Sequence, residues 1–209
     1  MKESLKVSIF GNLVVFNMEN RNNLKHAIEE FKKSMMNYAM QLGNEYTIDY
    51  WKFFFNNAET FHTTLNRSEY EKLKEKLIFV KPKECYDNAI LWSVVSKGKY
   101  LYYEGYATSI LNYPFPHAWN IENGRVFDTT LYKDYEDLDE EIMERLLNEE
   151  VIYIGVNVPY EDIIRYLNYE DECNAKHIPI EPNKTPLQYY FEEKTGRAKY
   201  EIPRSYHIQ

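Results

Sequence analysis

His117-Ala118-Trp119-Asn120-Ile121-Glu122-Asn123-Gly124-Arg125-Val126-Phe127-Asp128 reads as a β-hairpin. Asn-Gly between two runs that suit a strand is the strongest short hairpin signal and favours a two-residue loop at Asn123-Gly124. Such a loop sets Glu122 opposite Arg125, Asn120 opposite Phe127 and Trp119 opposite Asp128. Side chains alternate along a strand, so His117 shares the face of Trp119, and Asn120 lies on the other face in a structural position. His117 and Asp128 are then diagonal neighbours on one face, about 7–8 Å apart at the backbone, close enough for an imidazole to meet a carboxylate. A register slip of one residue would send them to opposite faces.

Upstream, Pro82 breaks the chain, and Ala89, Ile90, Trp92, Val94 and Val95 predict a well-buried helix over 86–96, closed by Gly98. Cys85 stands at its start, where backbone N–H groups stabilise a thiolate. These residue types in this arrangement suit acyl chemistry. Cys85 is the candidate nucleophile, His117 the base that later protonates the leaving group, and Asp128 the acid that orients the ring. Backbone N–H groups, including that of Cys85, would hold the oxyanion.

The order Cys-Tyr-Asp-Asn-Ala (85–89), Glu-Gly-Tyr-Ala (104–107), His-Ala-Trp-Asn (117–120) and Val-Phe-Asp-Thr-Thr (126–130) resembles the transglutaminase-like superfamily of papain-type cysteine enzymes. The resemblance covers residues 80–132. It implies Cys85, His117 and Asp128 as the catalytic triad, and an α+β fold with the nucleophile at the start of a core helix packed on an antiparallel sheet. The chain departs from the family pattern in three places. Lys83 and Glu84 stand where a Gly commonly precedes the Cys, Phe127 stands where a Trp often precedes the Asp, and no Pro follows Asp128. The spacing from Cys85 to His117 is also short for the family.

Composition narrows the function classes. The chain has 209 residues, a formal net charge of −8 and 20 tyrosines among its large aromatic complement. A net negative chain repels a phosphate backbone, so nucleic-acid binding is disfavoured. The acidic run between Asp134 and Glu150 reads as a solvated helix face. Two cysteines build no disulfide framework. Cys173 and His177 form one pair at ligand spacing without a matching second pair, so neither a metal nor another cofactor is expected. The opening stretch carries Asn12 and lacks a small-residue cleavage site, which predicts a buried strand rather than a signal peptide, and no segment reaches membrane-spanning length. The expectation is a cytoplasmic protein.

Along the chain, strands are expected at LKVSIF and NLVVF, and a helix from Asn22 or Asn23 to Leu42, ended by Gly43. In that helix Met35, Met36 and Met40 read as core filler. YTIDYWKFFF is ambiguous, and Ser68 is the expected cap of a helix to Leu77. KYLYYEGYA is a strand, TSILNYPFP a loop, HAWN and RVFDTT paired strands, 137–149 a helix, VIYIGVNV a strand and PYEDIIRYLNY a short helix. The expected organisation is one catalytic domain over 1–170 and an appendage over 171–209 that wraps the core. His26, His62 and His207 have no partner pattern. Tyr106 and Trp119 are weaker candidates for lining a substrate cleft, with core packing as the competing account.

The expected function is a thiol protease or related cysteine hydrolase that cleaves an amide, peptide or isopeptide bond in an intracellular protein or peptide. The alternatives are an acyltransferase of transglutaminase type and an inactive binding or inhibitory module of the same fold.

Overall fold

The computed structural model describes residues 5–9, 12–16, 22–64, 66–108, 114–136, 138–148, 150–175 and 184–197. Among them, α+β architecture is built on a five-stranded antiparallel sheet. Its strands are β3 (Glu59–Thr64), β4 (Leu101–Thr108), β5 (Pro114–Glu122), β6 (Arg125–Phe127) and β7 (Glu150–Val158), in the order β3-β7-β4-β5-β6. A separate antiparallel pair is formed by β1 (Leu5–Ile9) and β2 (Asn12–Phe16).

The hairpin has the register that its turn chemistry dictates: Asn120 pairs with Phe127, Ile121 with Val126 and Glu122 with Arg125. Asn123 and Gly124 both take positive φ, at 52° and 77°, as a tight hairpin turn of this type requires. The second strand stops at Phe127, which corrects the expectation of a strand through Asp128-Thr129-Thr130. Asp128 instead caps α5 (Thr129–Tyr135), its side chain accepting from the Thr130 and Leu131 N–H groups. An Asp ahead of a helix-compatible run outcompetes one more ladder pair by satisfying two donors that have no partner within the helix. The helix expected over 137–149 is likewise shorter, α6 (Glu140–Leu147), capped by Asp139.

One face of the sheet is covered by α3 (Arg67–Leu73), a 3-10 turn at Lys76–Phe79, α5 and α6, burying Tyr70, Leu77, Trp119, Leu131, Leu147 and Tyr153 in one core. The other face carries α1 (Asn22–Leu42), α2 (Glu45–Asn57), α4 (Cys85–Val95), α7 (Tyr160–Ala175) and α8 (Pro186–Thr195). Their second core holds Phe31, Trp51, Phe54, Tyr102, Ile163 and Leu187. The ambiguous aromatic segment is thus a helix, with Trp51 and Phe54 inward. Asn66, not Ser68, caps α3, because its side-chain oxygen reaches the Glu69 N–H. Gly43 and Gly98 follow α1 and α4 in the left-handed conformation, at φ 62° and 80°. In α1, Met35 is buried whereas Met40 is 56% exposed. Pro114 to Pro116 belong to β5 rather than to a loop, and 109–113 lie outside the described residues. α7 continues to Ala175, and α8 buries Leu187 and Phe191. No helix among the described residues is long and apolar enough to cross a membrane.

A row of small residues runs beside His117. Gly105 pairs with His117 on one side and Gly155 on the other. A Cβ on Gly105 would stand 2.2 Å from the Ile154 carbonyl oxygen, and one on Gly155 2.4 Å from Trp119 Cη2. The bare backbone of Gly155 leaves room for the Trp119 indole, and that of Gly105 for the neighbouring strand. Gly155→Ala is therefore expected to destabilise the fold by roughly 1–3 kcal/mol, lowering Tm by about 3–10 °C in a thermal melt followed by circular dichroism. An unchanged Tm would refute this packing account.

Candidate active site

β5 presents His117 to Asp128, which sits one residue beyond the end of β6. His117 Nε2 lies 2.7 Å from Asp128 Oδ2. The same oxygen accepts from the Tyr153 hydroxyl at 2.9 Å. Asp128 Oδ1 accepts from the Thr130 and Leu131 N–H groups, both at 3.1 Å. A carboxylate only accepts, so Nε2 is the nitrogen that carries the proton here, and Nδ1 is left for the other partner. The Cys85 side chain is the other group near enough to act on the ring. The three residues expected to meet are together. They are also shielded, with Cys85 8%, His117 3% and Asp128 1% exposed.

Burial is the largest single influence on the His117 ring and opposes its charged form. The Asp128 carboxylate, by charge and by hydrogen bond, and the Cys85 side chain outweigh it, raising the ring to about 10. The imidazolium is therefore favoured at neutral pH.

Cys85 opens α4 after an unusual turn. Lys83 has φ 62°, a left-handed conformation that costs a residue with a Cβ roughly 1 kcal/mol or more. Its N–H donates to Asp134 Oδ1 at 2.8 Å, which helps to hold the turn. Glu84, at the cap position, makes no side-chain cap hydrogen bond, so its carboxylate leaves the N–H groups of the first α4 turn open. Asn88 secures the same corner. It accepts from Lys81 N–H at 3.0 Å and donates to Lys81 carbonyl at 2.7 Å and Thr130 Oγ1 at 3.0 Å. Asn120, on the opposite face from His117, donates to the Ala89 carbonyl at 3.0 Å and locks α4 to β5.

Trp119 is 1% exposed and nearly parallel to the His117 ring at 6.4 Å between centroids. It also packs on Tyr153 at 4.9 Å, so it screens the His–Asp contact from water. Its Nε1 is the one buried side-chain donor without a partner among the described residues. Tyr106 packs against Phe31 at 4.9 Å and Trp51 at 5.8 Å, within the second core. His62 is exposed and pairs with Glu150 at 3.3 Å. Cys173 is buried on α7, while His177, His207 and the His26 side chain lie outside the described residues. No group of three or more His, Cys, Asp or Glu able to hold a metal ion occurs among the described residues.

Two participants were not legible. Tyr153 sits in an apolar strand whose alternation assigns its face but not its partner. Glu104 lies inside the Glu-Gly-Tyr-Ala strand, where a charged residue ordinarily signals exposure, yet it is 4% exposed. Its Oε2 accepts from the Tyr102 hydroxyl and the Leu187 N–H, both at 2.9 Å, and Thr185 also bonds to it.

No family model, curated protein or solved structure matches the chain.

Burial raises Glu104 from 4.5 to about 7 against those hydrogen bonds. A carboxyl raised in the fold binds its proton more tightly folded than unfolded, so stability falls as pH rises from 4.5 to 7 and the cost persists above that. His117, raised from 6.5 to about 10, adds stability below pH 6.5 that is lost as pH climbs toward 10. Glu104→Gln removes only the first slope. Relative to the parent chain, the variant is expected to gain on the order of 2–3 kcal/mol between pH 5 and pH 8, read from urea unfolding. A difference that does not change with pH would refute the account.

Proposed function

We propose that the chain is a cysteine-dependent hydrolase that cleaves an amide, peptide or isopeptide bond in a protein or peptide through an acyl-thioenzyme. The observation that carries this reading is the anchoring of His117 Nε2 on Asp128, which leaves Nδ1 available to the thiol of Cys85, the other group acting on the ring. In the proposed reaction the His117 ring takes the Cys85 proton, so that the sulfur acts as a thiolate. The sulfur attacks the carbonyl carbon, forming a C–S bond, and the N–H groups of the first α4 turn stabilise the oxyanion. Nδ1–H then protonates the leaving amine as the C–N bond breaks. Water enters next. Nδ1 removes its proton as its oxygen attacks, the C–S bond breaks, and the acid leaves with the thiolate restored. A nucleophile at a helix start, packed against an antiparallel sheet that carries the base, is the arrangement of papain-type and transglutaminase-like enzymes, and we assign the fold to that class.

The near-complete burial of Cys85 and His117 favours a second reading, a module of the same fold that binds without turnover. Alkylation separates the two. With iodoacetamide and mass mapping, Cys85 is expected to label quickly at pH 6–7, and His117→Ala is expected to slow it at least tenfold. Asp128→Asn should fall between, because its amide can still accept from the ring but holds no charge. A labelling rate that rises with pH like that of an ordinary thiol of pKa about 8.5, indifferent to His117→Ala, would sink the hydrolase and leave the binding module.

A further inference from the structure

α5 is bonded to the nucleophile's helix at several levels. Trp92 Nε1 donates to Thr129 Oγ1 at 3.1 Å, and Asn88 Nδ2 to Thr130 Oγ1 at 3.0 Å. Just ahead of α4, the Lys83 N–H donates to Asp134 Oδ1 at 2.8 Å. The same short helix begins on Asp128, the acid that holds the His117 ring. One element thus carries the ring's anchor at its start and, further along, a second carboxylate that grips the chain two residues before Cys85.

The grip falls where the backbone needs it. Lys83 has φ 62°, a conformation that glycine takes freely and a residue with a Cβ resists. Upstream, Asn88 clamps Lys81 through both its N–H and its carbonyl. Between that clamp and Cys85, Lys83 is the residue whose backbone a side chain holds, among the described residues. Glu84 makes no side-chain cap hydrogen bond, so the entry to α4 is not fixed from within the helix. Asp134 is half-buried. Burial lifts its carboxyl above the usual range, and the Lys83 N–H works against that by favouring the ionised acceptor. Asp128 and His117 also act on its charge, which puts it within electrostatic reach of the triad.

We propose that Asp134 is a positioning residue for Cys85: by holding Lys83 in its left-handed turn, it aims the thiol at the ring that Asp128 orients from the same helix. The inference rests on the hydrolase reading and adds the device that brings nucleophile and base into register. Because both acids ride on α5, a displacement of that helix carries the two anchors together.

The test is the alkylation of Cys85 by iodoacetamide, followed by mass mapping from pH 6 to pH 9. Asp134→Ala is expected to slow labelling at pH 6.5 at least tenfold. Its pH profile should become that of an ordinary thiol, with pKa about 8.5, while circular dichroism shows the fold retained. Asp134→Asn loses the charge, but its amide oxygen still accepts from Lys83, and it is expected to stay within threefold of the parent. Lys83→Gly takes the left-handed turn without strain, and added to Asp134→Ala it is expected to raise the rate at least threefold. Parent-like labelling in Asp134→Ala, equal losses in the Asn and Ala variants, or no recovery with Lys83→Gly would overturn the proposal. If Asp134→Ala does not fold, the double variant is compared with Lys83→Gly alone. A difference below threefold then supports the proposal, whereas a larger one, or an unfolded double variant, overturns it. Parent labelling that ignores His117→Ala marks failure of the hydrolase reading instead.

Discussion

The carboxylate of Asp128 is the point on which the rest of this site is hung. It is almost wholly buried, a situation that costs several kcal/mol for an ion without partners, and it is tolerated because four donors converge on it. Two are backbone N–H groups that would otherwise be orphans at the start of α5, one is the Tyr153 hydroxyl, and one is the His117 ring. Capping α5 and orienting the His117 ring are thus fused in a single group. The helix cannot begin without fixing the carboxylate, and the fixed carboxylate sets the ring's tautomer and direction. Trp119, lying over the bare backbone of Gly155, closes the contact against water and keeps the interaction strong.

Asp128 and Glu104, two of the buried carboxylates among the described residues, show how environment separates like groups. Asp128 has a ring beside it that can carry positive charge, so the pair is ionic. Glu104 meets hydroxyls and one N–H but no cation among the described residues, and its proton is retained to near neutral pH. The first orients the His117 ring. The second holds α8 to the sheet.

Much of this was written in the sequence where local rules dominate. The Asn123-Gly124 turn fixed the register of β5 against β6, and with it the common face of His117 and Asp128, because the turn type leaves a single pairing. Cys85 at a helix start was legible from Pro82 and the apolar run behind it. Where two local rules competed, the outcome was harder to read. Asp128 could end a strand or cap a helix, and capping prevailed because it satisfies two backbone donors at once. Long-range partnerships left no signature at all. Nothing near Tyr153 announces that its hydroxyl reaches Asp128, and Glu104 sits in a strand whose burial depends on α8, 83 positions further on. β3, with its polar Glu59–Thr64 run, gains its place only from pairing with β7.

The order of strands in the sheet has a consequence for how the chain emerges from the ribosome. The meander of β4, β5 and β6 is contiguous, so His117 and Asp128 can find each other as soon as α5 has been made. β7 inserts between β3 and β4, and it brings Tyr153 to the carboxylate last among the strands. Until that insertion β3 has no neighbour in the sheet and the carboxylate lacks one of its donors. The nascent polypeptide therefore carries its thiol in an unfinished setting, and the completed one arrives only with translation of the final third.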